Sequence, residues 1–521
     1  MKIYFKAIIH ILTVFIYLST QAQKNRLDNR LAIEIKRTGI IEQQNKVKGY
    51  YSFYFVEKAD IENAIYMIKI FDENAREIIS EKFKEANNMK MIAAAFDNEA
   101  ILLKFQVFIN TETVTKYYIF NQSKQLKLIV KPTSNKDDGR YSMNISGSET
   151  LNYGLYAIQK KGFFNYAPYL VNKSHGYEIF HIDSEGNKKW LIQSQTKPKE
   201  RDIAKILLAS KNNLYSIISN YQKESRFKAK KGNHILQYIN CIDIETGKKR
   251  FETKLEDNQY RYQVLSGQES ELGENIIIYG LYYLKTMQMD KIEPLGIFTA
   301  NIGPNGSFTD IKHILLDNSI DKYFHSENYR SISSIGNIYF HNIFHTADKK
   351  IYAVAQNYKV MHDRYDRSII EFATKDLFIF ECTSNFTLEA IKNFSLPQIK
   401  MYTKYSREVS FYKTATRAKS EGLFGYLFTQ LSPDRSSFII GYINTFEERK
   451  IKTLSTPATT ITSVNYGAII HKGSTYLTDK ISLKSGDDIL SPLNAKYGHV
   501  LVTGLLRDKK KQEIRLEKIN Y

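Results

Sequence analysis

The stretch FHIDSEGNKKWLIQS, Phe180 to Ser194, alternates apolar and polar residues, reverses through Ser-Glu-Gly-Asn, and alternates again on the way back. It predicts a β-hairpin, because Gly186 can take the positive φ that a tight reversal needs. CIDIETGKKRF, Cys241 to Phe251, repeats the pattern, with Asp243 standing for Asp183, Gly247 for Gly186 and Phe251 for Trp190. Looser copies begin their turns near Asp72, Asn121, Gly303, Thr383, Asn444 and Asp508. Most steps are about 60 residues, and one of 80 separates Gly303 from Thr383.

A recurrent hairpin unit of this size cannot bury both of its own faces, so its neighbours must cover them. The pattern therefore predicts an all-β chain: a single β-propeller of seven or eight four-stranded blades, eight preferred because eight hairpins can be counted. Two β-sandwich domains are the alternative. The first blade is expected over Leu31 to Phe83 and the second over Met91 to Val130. Insertions between blades are expected near 315–335, with a short helix around DNSIDKYFHSE, near 358–372, and near 399–422, where neither strand alternation nor a sustained helical stripe is visible. The ring would close if Leu31 to Ile41 paired with the C-terminal hairpin Tyr497 to Tyr521, which removes two sheet edges at once.

Composition sets the compartment and narrows the partners. Residues 1–22 read as a signal peptide: Lys2 and Lys6 precede the apolar run Ala7 to Leu18, and Thr20-Gln21-Ala22 offers small residues for cleavage. No Cys follows the cleavage region to carry a lipid, and no later run reaches the roughly 18 apolar residues of a membrane span. Residues 23–521 are thus expected as one exported propeller domain, periplasmic or extracellular, soluble and monomeric. The formal charge of +19 would suit an anionic partner, but Lys and Arg are spread along the chain and their densest clusters fall on turns. Nucleic acid is therefore not expected.

The two best hairpins resemble the Asp-x-x-x-Gly-x-x-x-Trp signature of quinoprotein-type (PQQ-like) propeller repeats, and LSPDRSSFII, Leu431 to Ile440, resembles the Ser-Pro-Asp turn of many bacterial propeller blades. More broadly the chain resembles exported bacterial propeller-like proteins classed only as domains of unknown function. The resemblance implies the fold. It does not imply the quinone, whose enzymes carry adjacent cysteines and several motif tryptophans, whereas Cys241 and Cys382 lie far apart and Trp190 is alone. No cofactor is predicted.

Candidate chemistry is sparse. Cys241 and Cys382 fall at like positions of non-adjacent blades, beyond disulfide reach, so free buried thiols are expected. His341 and His345 would share a metal on a helix, but IGNIYFHNIF reads as a strand, which sets the rings about 13 Å apart; no metal is predicted. The best binding candidate is the arm MHDRYDR, where His362, Asp363, Arg364, Tyr365 and Arg367 gather on a departure from the period. No catalytic residue is identifiable. The chain reads as an exported, non-catalytic binding protein that presents propeller loops to a protein or glycan. A polysaccharide-active hydrolase or lyase built on a propeller is the alternative.

Overall fold

The computed structural model describes residues 25–26, 34–109, 112–121, 126–138, 154–171, 174–194, 200–222, 234–270, 273, 275–287, 289, 292–324, 331–362, 369–404, 411–420, 422–452, 457–481, 489–506 and 511–520. Its strands fall into eight successive four-stranded antiparallel meanders, spanning residues 34–86, 90–138, 155–193, 200–254, 260–315, 337–394, 426–481 and 489–518. The eighth is completed by Asn25–Arg26, paired outside Lys511–Lys518. The first and second meanders, and the third and fourth, are also linked by single parallel bridges, Glu42 to Ala95 and His175 to Arg201.

Eight apolar clusters, one at each join, hold the meanders together. Phe53, Ile68 and Leu103 bind the first to the second, Ala353, Phe380 and Leu281 the sixth to the fifth, and Ile439, Ile470 and Val502 the seventh to the eighth. At the last join Tyr50, Phe71 and Ala75 of the first meander pack on Leu501 and Ile514 of the eighth, and the backbone N–H of Lys496 donates to the Tyr50 hydroxyl at 3.3 Å. The core is thus a ring of interfaces between sheets, as in a propeller, rather than the two inner layers of paired sandwiches.

One end of each meander carries the turn between its first and second strands and, in the first seven, the connection between the third and fourth. Five of the latter are closed by the same pair of backbone bonds, the turn at Asp243 being one residue longer than the other four. In each, the backbone N–H of the opening residue, Asp72, Asp183, Asp243, Gly303 or Thr383, bonds across the turn, and its carbonyl accepts from Ala75, Gly186, Gly247, Gly306 or Phe386. Each of those donating residues has positive φ. Glycine fills three of the five positions because it takes that conformation without strain.

Two sequence expectations are corrected and a third falls outside the described residues. Asn444 is no turn: the strand Ser437–Lys452 runs through it with a bulge between Ile443 and Thr445, and the outer turn of that meander follows Lys472, with Gly473 at φ 64. Asp508 lies outside the described residues, between the strands His499–Leu506 and Lys511–Lys518, the second and third of its meander. Alternation marks a hairpin but not which hairpin of the unit it is. The closing strand is Asn25–Arg26, paired with Ile514 and Glu513, whereas Glu34–Gln43 is the first strand of the first meander. Residues 34–41 are consumed by their own sheet and cannot close the ring.

Candidate functional site

The opposite end carries the long connections, and around the fifth to seventh meanders these build a layered platform. Here the hairpin Ile351–His362 and Ile369–Cys382 runs out beyond its neighbours, pairing as far as His362 with Ile370. The candidate arm lies at its tip. Asp363, Arg364, Tyr365 and Arg367 fall outside the described residues, and of His362 only the backbone is described.

The root of the arm is braced twice. Ile399–Lys404 adds a further strand to Ile369–Cys382, in register from Ile369 with Lys404 to Thr374 with Ile399, and Lys400 reaches Glu371 at 2.9 Å. The helix Phe411–Ser420 then lies against the hairpin, its Ala415 and Ala418 packed on Tyr358, Phe372 and Phe424. Alanine at those two positions lets the helix approach closely. It stops in a Schellman motif: Leu423 N–H bonds to the Ala418 carbonyl at 2.9 Å and Gly422 N–H to that of Lys419 at 3.1 Å, with Gly422 at φ 72. Both the strand and the helix lie in the stretch where the sequence shows no clear pattern. Gly422 and the spacing of Tyr412, Ala415, Thr416 and Lys419 are the signals that could have shown the helix.

Beneath this helix the first strands of three meanders contribute a cluster of rings and ionisable groups. His341 stacks flat on Tyr426 at 4.4 Å between centroids and meets Phe424 edge-on at 4.9 Å. Burial, with the Lys419 charge nearby, holds the imidazole well below its usual pKa, against the opposing effect of the Gln356 side chain. The Lys419 ammonium lies 4.2 Å from the centre of the other aromatic partner, Tyr426; burial brings it down to about 7. Gly425 permits this close assembly, since a Cβ there would stand 2.9 Å from the Gln356 amide nitrogen.

Tyr339 carries the cluster on to Tyr412, with ring centres 6.0 Å apart. Tyr412 and Tyr283 both donate to the Gln263 side-chain oxygen, at 3.5 and 2.8 Å. Glu293, from the connection between the second and third strands of the fifth meander, accepts from the Tyr358 hydroxyl. Burial pushes its carboxyl up to about 7. Three groups of different sign are thus all biased toward their neutral forms in one aromatic setting. No motif announces the cluster, because residues 283, 293, 341, 358, 412, 419 and 426 are spread over six separate segments, only Tyr412 and Lys419 sharing an element.

The remaining sequence candidates resolve simply. His341 and His345 share the strand Asn337–His345, and no group of three potential ligand residues capable of holding a metal occurs among the described residues. Cys241 and Cys382 are free and buried, in the fourth and sixth meanders, and burial pushes the Cys241 thiol up to about 11. The segment 315–335 carries a 3-10 helix, Asn318–Tyr323, and one helical turn, Ile332–Ile335. No described helix is long and apolar enough to cross a membrane.

The chain belongs to a family of unknown function, DUF6770, whose model matches residues 2–520. No curated protein matches it. Among solved structures, apo prolyl oligopeptidase B from Galerina marginata superposes with a TM-score of 0.39 at 8% identity, over 91% of this chain and 55% of that one. The chain therefore spans about half the length of the peptidase. The polysaccharide lyase Uly1 gives 0.35 at 9% identity over 95% and 92% of the two chains, and the lignostilbene dioxygenase of Pseudomonas brassicacearum 0.35 at 10% over 94% and 91%. At these TM-scores the superpositions add nothing to the functional reading.

Proposed function

We propose that the eight meanders are the blades of one closed propeller, exported after removal of residues 1–22, which binds a protein or glycan partner through the platform and arm of its fifth to seventh blades without transforming it. The observation that carries this reading is the double bracing of the arm: an added strand and a helix fix the root of a hairpin whose tip holds His362, Asp363, Arg364, Tyr365 and Arg367. Side chains held on a rigid base lose less freedom on binding. The ionisable groups beneath are engaged in structure, with Lys419 on the Tyr426 ring and Glu293 bonded by Tyr358.

The test presents residues 23–521 to an array of defined glycans, alongside a variant carrying Arg364→Ala, Tyr365→Ala and Arg367→Ala. A glycan ligand should be lost by at least tenfold in the variant, with an unchanged melting temperature. Equal binding by both proteins would overturn the assignment to the arm. One observation favours the enzymatic alternative: a carboxyl near 7 beside a phenol is suited to proton transfer at neutral pH. New reducing ends or unsaturated products released from a bound glycan, and abolished by Glu293→Gln, would replace the binding reading with that one.

A further inference from the structure

Where the third and fourth meanders meet, the apolar seal between sheets gives way to a groove of about 570 Å³. Counting back from the turn-opening residues Asp183, Asp243, Gly303 and Thr383, the third strands of the third to sixth meanders present equivalent positions to the preceding sheet, where the first meander, opened by Asp72, has Lys69 paired with Glu77. The position three before the opener is Phe180 in the third meander, Ala300 in the fifth and Phe380 in the sixth, all buried in the joining clusters. In the fourth it is Asn240. Strand alternation puts Asn220 and Tyr238 on the same face, and Asp202 stands opposite Asn220 in register.

Asn240 is 3% exposed. Its amide nitrogen donates to the Tyr177 hydroxyl at 3.3 Å, while its Oδ1 has no partner. A buried amide oxygen left without a donor is unfavourable, and a hydroxyl entering the groove would satisfy it. Across the groove, Asn220 donates to Asp202 at 2.6 Å, and Lys249 pairs with Glu252 at 3.2 Å at the rim. The named charged groups in the lining are two carboxylates and one ammonium, which disfavours an anion. Amides and carboxylates that can each grip neighbouring hydroxyls, beside a tyrosine, suit a polyol ring. The strands carrying Asn220 and Asn240 are paired on both sides, so their backbones offer nothing to an added peptide strand.

We propose that this groove binds a neutral saccharide through Asn240, Asp202 and Asn220, with Lys249 and Glu252 at its rim. The site rests on the glycan form of the binding reading and places a second contact away from the arm. The chain's single tryptophan provides the readout. Trp190 donates its indole N–H to the Ile244 carbonyl at 2.7 Å and packs on Gly247, a lining residue, where a Cβ would stand 2.7 Å from the indole.

Tryptophan emission of residues 23–521 would be followed during titration with neutral trimers of glucose, mannose and N-acetylglucosamine, with a uronate trimer and triglycine as contrasts. At least one neutral trimer should give a saturable change, weakened at least tenfold by Asn240→Ala and by Asp202→Asn at unchanged melting temperature. If Asn240→Ala does not fold, Asp202→Asn and the rim variant Glu252→Ala decide. Preference for the uronate or triglycine, no saturable response to any neutral trimer, or wild-type affinity in the folded variants overturns the site. Failure here with glycan binding still lost in the arm variant leaves the arm reading standing. A groove that binds while the arm variant is inert on every glycan overturns the arm and keeps the groove.

Discussion

The two ends of the meanders solve the problem of the charged residue in opposite ways. At the turn end, carboxylates are stabilised as anions by short-range partners. Asp243 accepts from the backbone N–H groups of Glu245 and Thr246 and pairs with Arg250, which with the Thr246 hydroxyl holds it down at about 2. Asp434 is held at about 2 by Ser432 and Ser436. On the platform under the helix Phe411–Ser420, burial dominates and the ions are disfavoured: Glu293 rises to about 7 and Lys419 falls to about 7. The turn end is built from contacts within a few residues of sequence, whereas the platform is assembled from three meanders and a helix. Local grammar makes a scaffold, and non-local convergence makes a place where protonation states can be tuned.

Both regions depend on a ring that closes, so the strongest way to break the comparison is to open it. Deleting Leu506 to Tyr521 removes Ile519, buried at the seventh join with Val500 and Val502, and Ile514, buried at the eighth join with Tyr50 and Phe71. It also removes the only described partner of Asn25–Arg26. Fully burying each isoleucine contributes about 2 kcal/mol, and exposure of both adjoining faces adds to the loss. Thermal unfolding should fall by at least about 10 °C or lose its single cooperative transition. An unchanged midpoint would mean that the terminal hairpin is no part of the closure.

The next effect separates the two ends by pH. The Lys419 ammonium is favoured in the unfolded chain, whose pKa is near 10.4, over the folded one at about 7. Between those values the unfolded state holds more protons, so this group makes stability rise with pH from 7 towards 10. Glu293 runs the other way. Its folded pKa of about 7 exceeds the unfolded value near 4.3, so its contribution is complete below about pH 4 and is lost as pH rises to 7. Together the two put a dip in stability near neutrality. Lys419→Met should flatten the upper arm and Glu293→Gln the lower, each by about 1 to 3 kcal/mol across its window, read from urea unfolding at stepped pH. Parallel wild-type and variant profiles would show that the platform is wetter than its packing implies.

What could be read from the chain follows the same division. The hairpins at Asp183 and Asp243 are legible because an Asp, a glycine at positive φ and alternating strands sit within about ten residues. The all-β ring follows from their repetition. Phase was harder: Asn444 sits in a bulge that looks like a turn when only polarity is read, and the added strand Ile399–Lys404 lies in a stretch without clear alternation. The arm was visible as a departure from the period. Glu293 and Lys419 are not, and His341 stands out in the sequence only for its spacing from His345, because what makes these groups unusual is the absence of water, which the chain acquires only when Tyr426, Phe424 and the helix close over them.

The smallest expected effect tests whether the turn carboxylates matter at all. The family of outer turns contains its own substitution series. Asp243 in the fourth meander is matched by Thr383 in the sixth, whose hydroxyl accepts from Asn385 and Thr387, and by Gly303 in the fifth, which has no side chain and still closes its one-residue-shorter turn with two backbone bonds. The carboxylate is therefore an aid to a turn that its backbone already forms. Asp243→Asn retains an oxygen for the N–H groups of Glu245 and Thr246 but loses the ion pair with Arg250, which is partly exposed and screened. The loss should be about 0.5 to 1 kcal/mol at pH 7. Because the folded pKa of about 2 lies below the unfolded value near 3.9, this stabilisation is present above pH 4 and disappears as pH falls through 2. Wild type and variant should consequently converge in acid. A difference larger than that at pH 7, or one that persists at pH 2, would show that the turn residue helps to position the neighbouring strands rather than merely to hold its own reversal.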